Sequence, residues 1–119
     1  MIGQSVKITV LKTLYLVDEL GIELPPPPPP PDGAAPMPPP EGPMTCPIFR
    51  EGQTFLYQLG GAGVPEGFCD WAWNDIFKDI LAVCSRAAMV PPEQHGDVEP
   101  AYTCCTDGTR PVIFKIEAV

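Results

Sequence analysis

Four of the five cysteines in this chain, Cys46, Cys69, Cys104 and Cys105, stand where the sequence turns or pairs rather than inside an apolar run. Cysteine works as thiolate, the form that binds metal, attacks electrophiles and exchanges disulfides. Cys69 has the clearest physical case. It comes immediately before a predicted helix that opens with Trp71, Ala72 and Trp73. The unpaired amides and the positive dipole end of such a terminus favour a negative charge. The plainer alternative is a small buried residue that closes the helix entrance.

Cys46 precedes Pro47, which biases it toward extended backbone. Cys104 and Cys105 are neighbours in a predicted strand, where alternation sends side chains to opposite faces. Both can serve one site only if a bulge or turn interrupts that strand. No CxxC spacing joins these thiols, so a regular metal motif is missing. A zinc or iron–sulfur site assembled from Cys46, Cys69, Cys104 and Cys105 is still physically allowed, and so is a dithiol redox couple. His95, the single histidine, lies in a polar loop and could replace one ligand, although loop histidines beside glycine usually face solvent. Cys84 falls on an apolar helical stripe and reads as core.

Trp71 and Trp73 read as core or interface residues, or as walls of a small-molecule pocket. Glu51 reads as part of a turn, with general-base work a remote alternative. A single histidine leaves no room for a Ser-His-Asp arrangement beside other roles. Gly60, Gly61 and Gly63 lack the spacing of a phosphate cradle and read as a loop.

The elements that must position these residues follow from periodicity. Val6, Ile8 and Val10 alternate with Lys7, Thr9 and Leu11, a strand pattern that loosens after Lys12. Residues 14–20 then read as strand continuation or a helical turn, ended by Gly21. Phe55, Tyr57 and Leu59 mark a second strand within Thr54 to Leu59. Trp73, Ile76, Phe77, Ile80, Cys84 and Ala87 recur at three- and four-residue steps, one apolar face of an amphipathic helix. Asp70 is expected to cap it, and Pro91-Pro92 to stop it. Asp107-Gly108 predicts a two-residue type I′ hairpin between Tyr102–Thr106 and Thr109–Val119. That register sets Cys105 opposite Arg110, on the face of Val112 and Phe114, with Cys104 on the other face. The expected fold is α+β: a mostly antiparallel four-stranded sheet, one amphipathic helix across it, and a proline-rich insertion.

That insertion, residues 25–47, interrupts what reads as one small domain spanning residues 1–119. Seven consecutive prolines, Pro25 to Pro31, form a stiff polyproline II rod, roughly 20 Å long at ~3.1 Å per residue. Asp32-Gly33 supplies turn chemistry before a second run, Pro38 to Pro40. The arm reads as a solvated insertion or as a preformed ligand for an aromatic groove, with Pro25, Pro28, Pro31, Pro38 and Pro40 as contact positions. Subunit contact is favoured over signalling.

Roughly 90 residues outside the arm remain to fold, enough for a small core with little margin. A net charge of −8 and scattered basic residues argue against nucleic acid and against an anionic membrane surface. Neither a signal-peptide pattern nor an 18-residue apolar window is visible, which sets the expectation of a cytoplasmic chain. An odd number of cysteines then points to thiol or metal chemistry rather than a disulfide framework.

Three separated segments carry a resemblance. Cys46-Pro-Ile-Phe-Arg-Glu-Gly-Gln53, Pro65-Glu-Gly-Phe-Cys-Asp-Trp-Ala-Trp73 and Cys104-Cys-Thr-Asp-Gly-Thr-Arg-Pro-Val-Ile-Phe-Lys115 resemble a family of small uncharacterised proteins of anaerobic bacteria and archaea. The resemblance covers Val6–Lys12 and Cys46–Glu117. It implies that Cys46, Cys69, Cys104 and Cys105 belong to the family pattern and that Cys84 does not. It also implies that Pro25–Pro43 replaces a shorter linker, and an anaerobic host would tolerate an oxygen-sensitive site. No activity comes with it. Two expectations follow: a cysteine-dependent metal or thiol-redox protein, or a non-catalytic subunit that docks, to itself or to a larger protein, through the arm and the Trp face. An enzyme acting through Cys69 is the least supported.

Overall fold

The computed structural model describes residues 4–23, 25, 28–35, 44–61 and 63–119. Pro38 and Pro40 lie outside them. The alternating segment at the start of the chain forms β1 (Ser5–Thr13), the central organiser of the sheet. It pairs antiparallel with β2 (Thr54–Gln58) on one side and β4 (Val112–Ala118) on the other, and β3 (Ala101–Cys104) adds to β4. The order β2-β1-β4-β3 makes a four-stranded, wholly antiparallel sheet. The helix α1 (Asp70–Ala87) packs across one face, against β1, β3 and β4. The fold is α+β, as the periodicities require.

Register places the apolar set in line. Ile8 pairs with Ile116 and Val10 with Phe114, so every second residue of both strands meets the helix. Val6, Ile8, Val10, Val112, Phe114 and Ile116 are fully buried there. From the helix come Ile76, Ile80, Val83 and Cys84, also fully buried. Burying one such aliphatic side chain contributes about 1.5–3 kcal/mol. The exposed ion pairs, such as Lys7–Glu117 at 3.9 Å, contribute about 0–1 kcal/mol each. The apolar face therefore decides the fold.

The pattern loosens near Lys12 for a local reason. Leu11 is an extra residue on β1, a bulge that shifts the pairing between Val10 and Lys12. Beyond Thr13 the chain stays alongside its partner: Leu14 and Leu16 N–H groups donate to the carbonyls of Pro111 and Thr109, at 3.0 and 2.8 Å. Residues 17–21 then form a turn closed by the Gly21 N–H donating to Asp18 O and the Ile22 N–H to Val17 O. This is a Schellman arrangement, and Gly21 takes the left-handed φ of +65° that it needs.

Two local expectations are corrected. Asp70 is the first helical residue, not the cap. Cys69 occupies the N-cap position with extended φ and ψ and makes no side-chain capping bond, while its carbonyl accepts the Trp73 N–H at 2.9 Å. The hairpin turn is also longer than two residues. A type I′ turn needs positive φ at both central residues, and neither Asp107 nor Gly108 has it. The strands end at Cys104 and Val112, and residues 105–111 form a broad loop. Cys105 consequently lies opposite Val112 rather than Arg110, its N–H donating to the Val112 carbonyl at 3.3 Å. The face assignment is unaffected: Cys105 is half-buried and Cys104 exposed.

Among the described residues of the arm, Pro25, Pro28 and Pro31 are exposed. Asp32-Gly33 makes a turn, with Ala34 N–H donating to Pro31 O at 2.9 Å and Gly33 at φ +83°. No helix among the described residues is long and apolar enough to cross a membrane.

Candidate functional site

Three phenylalanines bring distant parts of the chain to the entrance of α1. Phe49 follows Cys46 by three residues, Phe68 directly precedes Cys69, and Phe114 lies on β4 near Cys105 and Val112. Their rings meet edge-on or stacked, with centroids 4.9 Å apart for Phe49–Phe68, 5.2 Å for Phe49–Phe114 and 5.6 Å for Phe68–Phe114. Such pairs add about 0.5–1.5 kcal/mol beyond their area. All three rings are buried, so the backbones that carry them are held with them.

Beside this aromatic cluster, with Phe49 in its lining, is a pocket of about 280 Å³ at the N-terminal end of α1. Its sulfur-bearing lining is Cys46, Cys69 and Cys105, one thiol from each of three separate segments. Pro47, Ile48, Phe49, Ala72 and Val112 supply apolar wall, and Trp71, Asp107 and Arg110 complete it. Cys104 does not line the pocket. Strand alternation turns it to the opposite face of β3, with exposed Tyr102.

The pocket's far wall, the 105–111 loop, is fastened from three sides. The Trp71 indole N–H donates to Thr106 Oγ1 at 2.6 Å, and Asp75 accepts both the Thr106 hydroxyl at 3.0 Å and its backbone N–H at 2.8 Å. The Val112 N–H contacts the Cys105 sulfur at 3.4 Å. Inside the loop, Asp107 Oδ1 accepts the Thr109 and Arg110 N–H groups, each at 3.0 Å, and the Thr109 hydroxyl at 3.1 Å. These bonds, the Arg110 N–H first, hold the Asp107 carboxyl below the usual carboxylate range against the opposing effect of burial, with the Arg110 charge assisting. The backbone bonds from Leu14 and Leu16 clamp residues 109–111 from outside.

No family model, curated protein or solved structure matches this chain.

The two tryptophans divide. Trp71 is 59% exposed at the pocket rim. Trp73 turns inward, 4.9 Å from Tyr57 and 5.4 Å from Phe68 by ring centroid. His95 lies away from the pocket, its Nδ1 3.1 Å from the Val119 carbonyl oxygen. Glu51 caps the bulged end of β1 by accepting the Thr13 N–H at 3.2 Å. Cys84 is fully buried in the core, and that burial pushes its thiol pKa up.

Zinc or an iron–sulfur cluster needs several donors converging on one point. Among the described residues, which include every cysteine and the histidine, no group of three His, Cys, Asp or Glu side chains is placed to hold a metal ion. The thiols share a pocket without forming a coordination shell, so the arrangement does not fit either group as it stands.

Sequence reasoning did not single out Arg110, Asp107, Thr106 or Ile48 as site residues. Asp107 carried a signal, but as a hairpin turn.

Proposed function

We propose that this chain is a small cysteine-dependent protein that works by thiol–disulfide chemistry at the entrance of α1. The observation that carries the reading is the placement of Cys46, Cys69 and Cys105 on one pocket, from three segments that an aromatic cluster holds together. A pocket thiolate attacks a small disulfide; its S–S bond breaks, one half leaves as thiolate, and a mixed disulfide remains. A second pocket thiolate can displace the other half and leave a protein disulfide. Two protein thiols are then oxidised and one small disulfide is reduced to two thiols.

The metal form of the same reading, zinc or iron–sulfur on Cys46, Cys69, Cys104 and Cys105, has less behind it, because Cys104 faces elsewhere and no three donors converge. Anaerobic purification with metal analysis and a visible spectrum separates the two forms. The thiol-exchange form predicts colourless, metal-free protein that forms mixed disulfides with cystamine at pocket cysteines and not at Cys84. Modification at Cys104 alone argues against it.

A second reading, a non-catalytic subunit that self-associates or docks to a larger protein, is favoured by the exposed surface. Trp71, Leu56 and Tyr102 are 59%, 71% and 64% exposed, and Pro25, Pro28 and Pro31 stand open. Deleting residues 25–43 and measuring mass in solution tests it. A fall in assembly size is expected, and an unchanged mass counts against the arm.

A further inference from the structure

The pocket is too small for a dinucleotide or a haem. At about 280 Å³ it sits just under the usual range of ligand cavities, about 300–1,000 Å³, and suits one small molecule. Its lining has two characters. The interior is hydrocarbon and sulfur, from Ile48, Phe49, Val112 and the thiols. The 105–111 loop adds one acidic residue, Asp107, and one basic residue, Arg110, to the same lining.

Those two charges act on each other, the Arg110 charge helping to hold the Asp107 carboxyl low, but they are not locked together as an ion pair. Among the described residues Arg110 forms no ion pair, with Asp107 or any other acid. The bonds that Asp107 accepts within the loop all fall on Oδ1, leaving Oδ2 without a hydrogen bond among the described residues. The Arg110 backbone is fixed twice, by its own N–H to Asp107 and by the clamp on residues 109 and 111. A bare anion meets Arg110 but also the Asp107 carboxylate and a net charge of −8. A bare cation meets Asp107 but also the Arg110 guanidinium. A molecule with both charges close together satisfies the pair.

We infer that the pocket binds a single free α-amino acid with an apolar, sulfur-bearing side chain. Its carboxylate is received by Arg110, its ammonium by Asp107, and its side chain lies against the thiols and aromatic rings, where polarisable sulfur packs well. The inference rests on the pocket being the working site, but not on its thiols being redox-active.

Calorimetric titration of the reduced, full-length chain tests this with three probes of matched side chain: L-methionine, 4-(methylthio)butanoate, which lacks the ammonium, and 3-(methylthio)propylamine, which lacks the carboxylate. L-Methionine is expected to bind, and each singly charged probe to bind about tenfold or more weakly. Arg110→Gln should bring L-methionine down to the level of the amine. Asp107→Asn, whose amide oxygen can still accept the loop N–H groups, should bring it down to the level of the butanoate. The inference is overturned if L-methionine does not bind, or if either singly charged probe binds the unmodified protein as tightly. Disulfide exchange without methionine binding overturns this inference and leaves the thiol chemistry standing. Methionine binding to inert thiols does the opposite.

Discussion

Trp71 and Thr106, 35 residues apart in the chain, are joined by a 2.6 Å hydrogen bond from the indole N–H to the threonine hydroxyl oxygen. The Thr106 hydroxyl and backbone N–H in turn donate hydrogen bonds to Asp75, so the first two turns of α1 hold the loop that carries Asp107 and Arg110. This chain of donors ties the helix to the loop that walls the thiol pocket.

Replacing Thr106 by valine keeps the shape and the backbone bond to Asp75 but removes both hydroxyl bonds. The loss should cost about 1–2 kcal/mol, at roughly 1 kcal/mol per bond. Urea denaturation should show the lower midpoint, and iodoacetamide should label Cys105 faster in the variant. Unchanged labelling at reduced stability would mean that the hydroxyl does not set access to the pocket.

Acid should loosen the same loop. Asp107 has a folded pKa below its unfolded value, so the native state binds fewer protons in the interval between them. Its contribution is complete above the ordinary carboxylate pKa of about 3.9 and is lost as pH falls through the lowered folded value. Asp107→Asn cannot ionise. The stability gap between it and the native sequence should therefore be widest at neutral pH and close with acid, which urea midpoints at pH 7 and pH 3 would record. A gap that does not change with pH contradicts the assignment.

Cys84 provides the internal control. Burial raises its pKa, so the folded protein keeps it as thiol, and its stabilising effect is present below the unfolded thiol value of about 8.5 and lost as pH rises through the folded one. It should resist alkylation at pH 8 until the protein unfolds, then react at the rate of an ordinary thiol. Native-state labelling at Cys84 comparable to Cys69 would show a looser core than the packing of Ile76, Ile80 and Val83 implies.

Much of the frame was legible because it is periodic. Val6, Ile8 and Val10 announce a half-buried strand, and the stripe from Ile76 to Ala87 announces the helix that covers it. The stripe erred at its edge, where Trp73 and Phe77 stay half-buried and Ala72 and Val83 go inside. What failed was turn chemistry. Asp107-Gly108 has the composition of a tight hairpin, but the Asp107 carboxylate bonds forward to Thr109 and Arg110 and opens the loop instead.

The site was legible in part for the same reason. Cys69 is placed by a helix start and Cys105 by strand alternation, both local signals. Arg110 was not, because its position depends on Leu14 and Leu16 pairing with Pro111 and Thr109, a contact about a hundred residues long in sequence that no local pattern reports. The separation of Cys104 from its neighbour was foreseeable from a period of two. The aromatic meeting of Phe49, Phe68 and Phe114 was not.

The most direct measurement is disulfide mapping of reduced protein titrated anaerobically with cystamine, read as peptide masses. Adducts or bridges confined to Cys46, Cys69 and Cys105, with Cys84 untouched, are the predicted result. Pocket cysteines that stay reduced while only Cys104 is modified would contradict it.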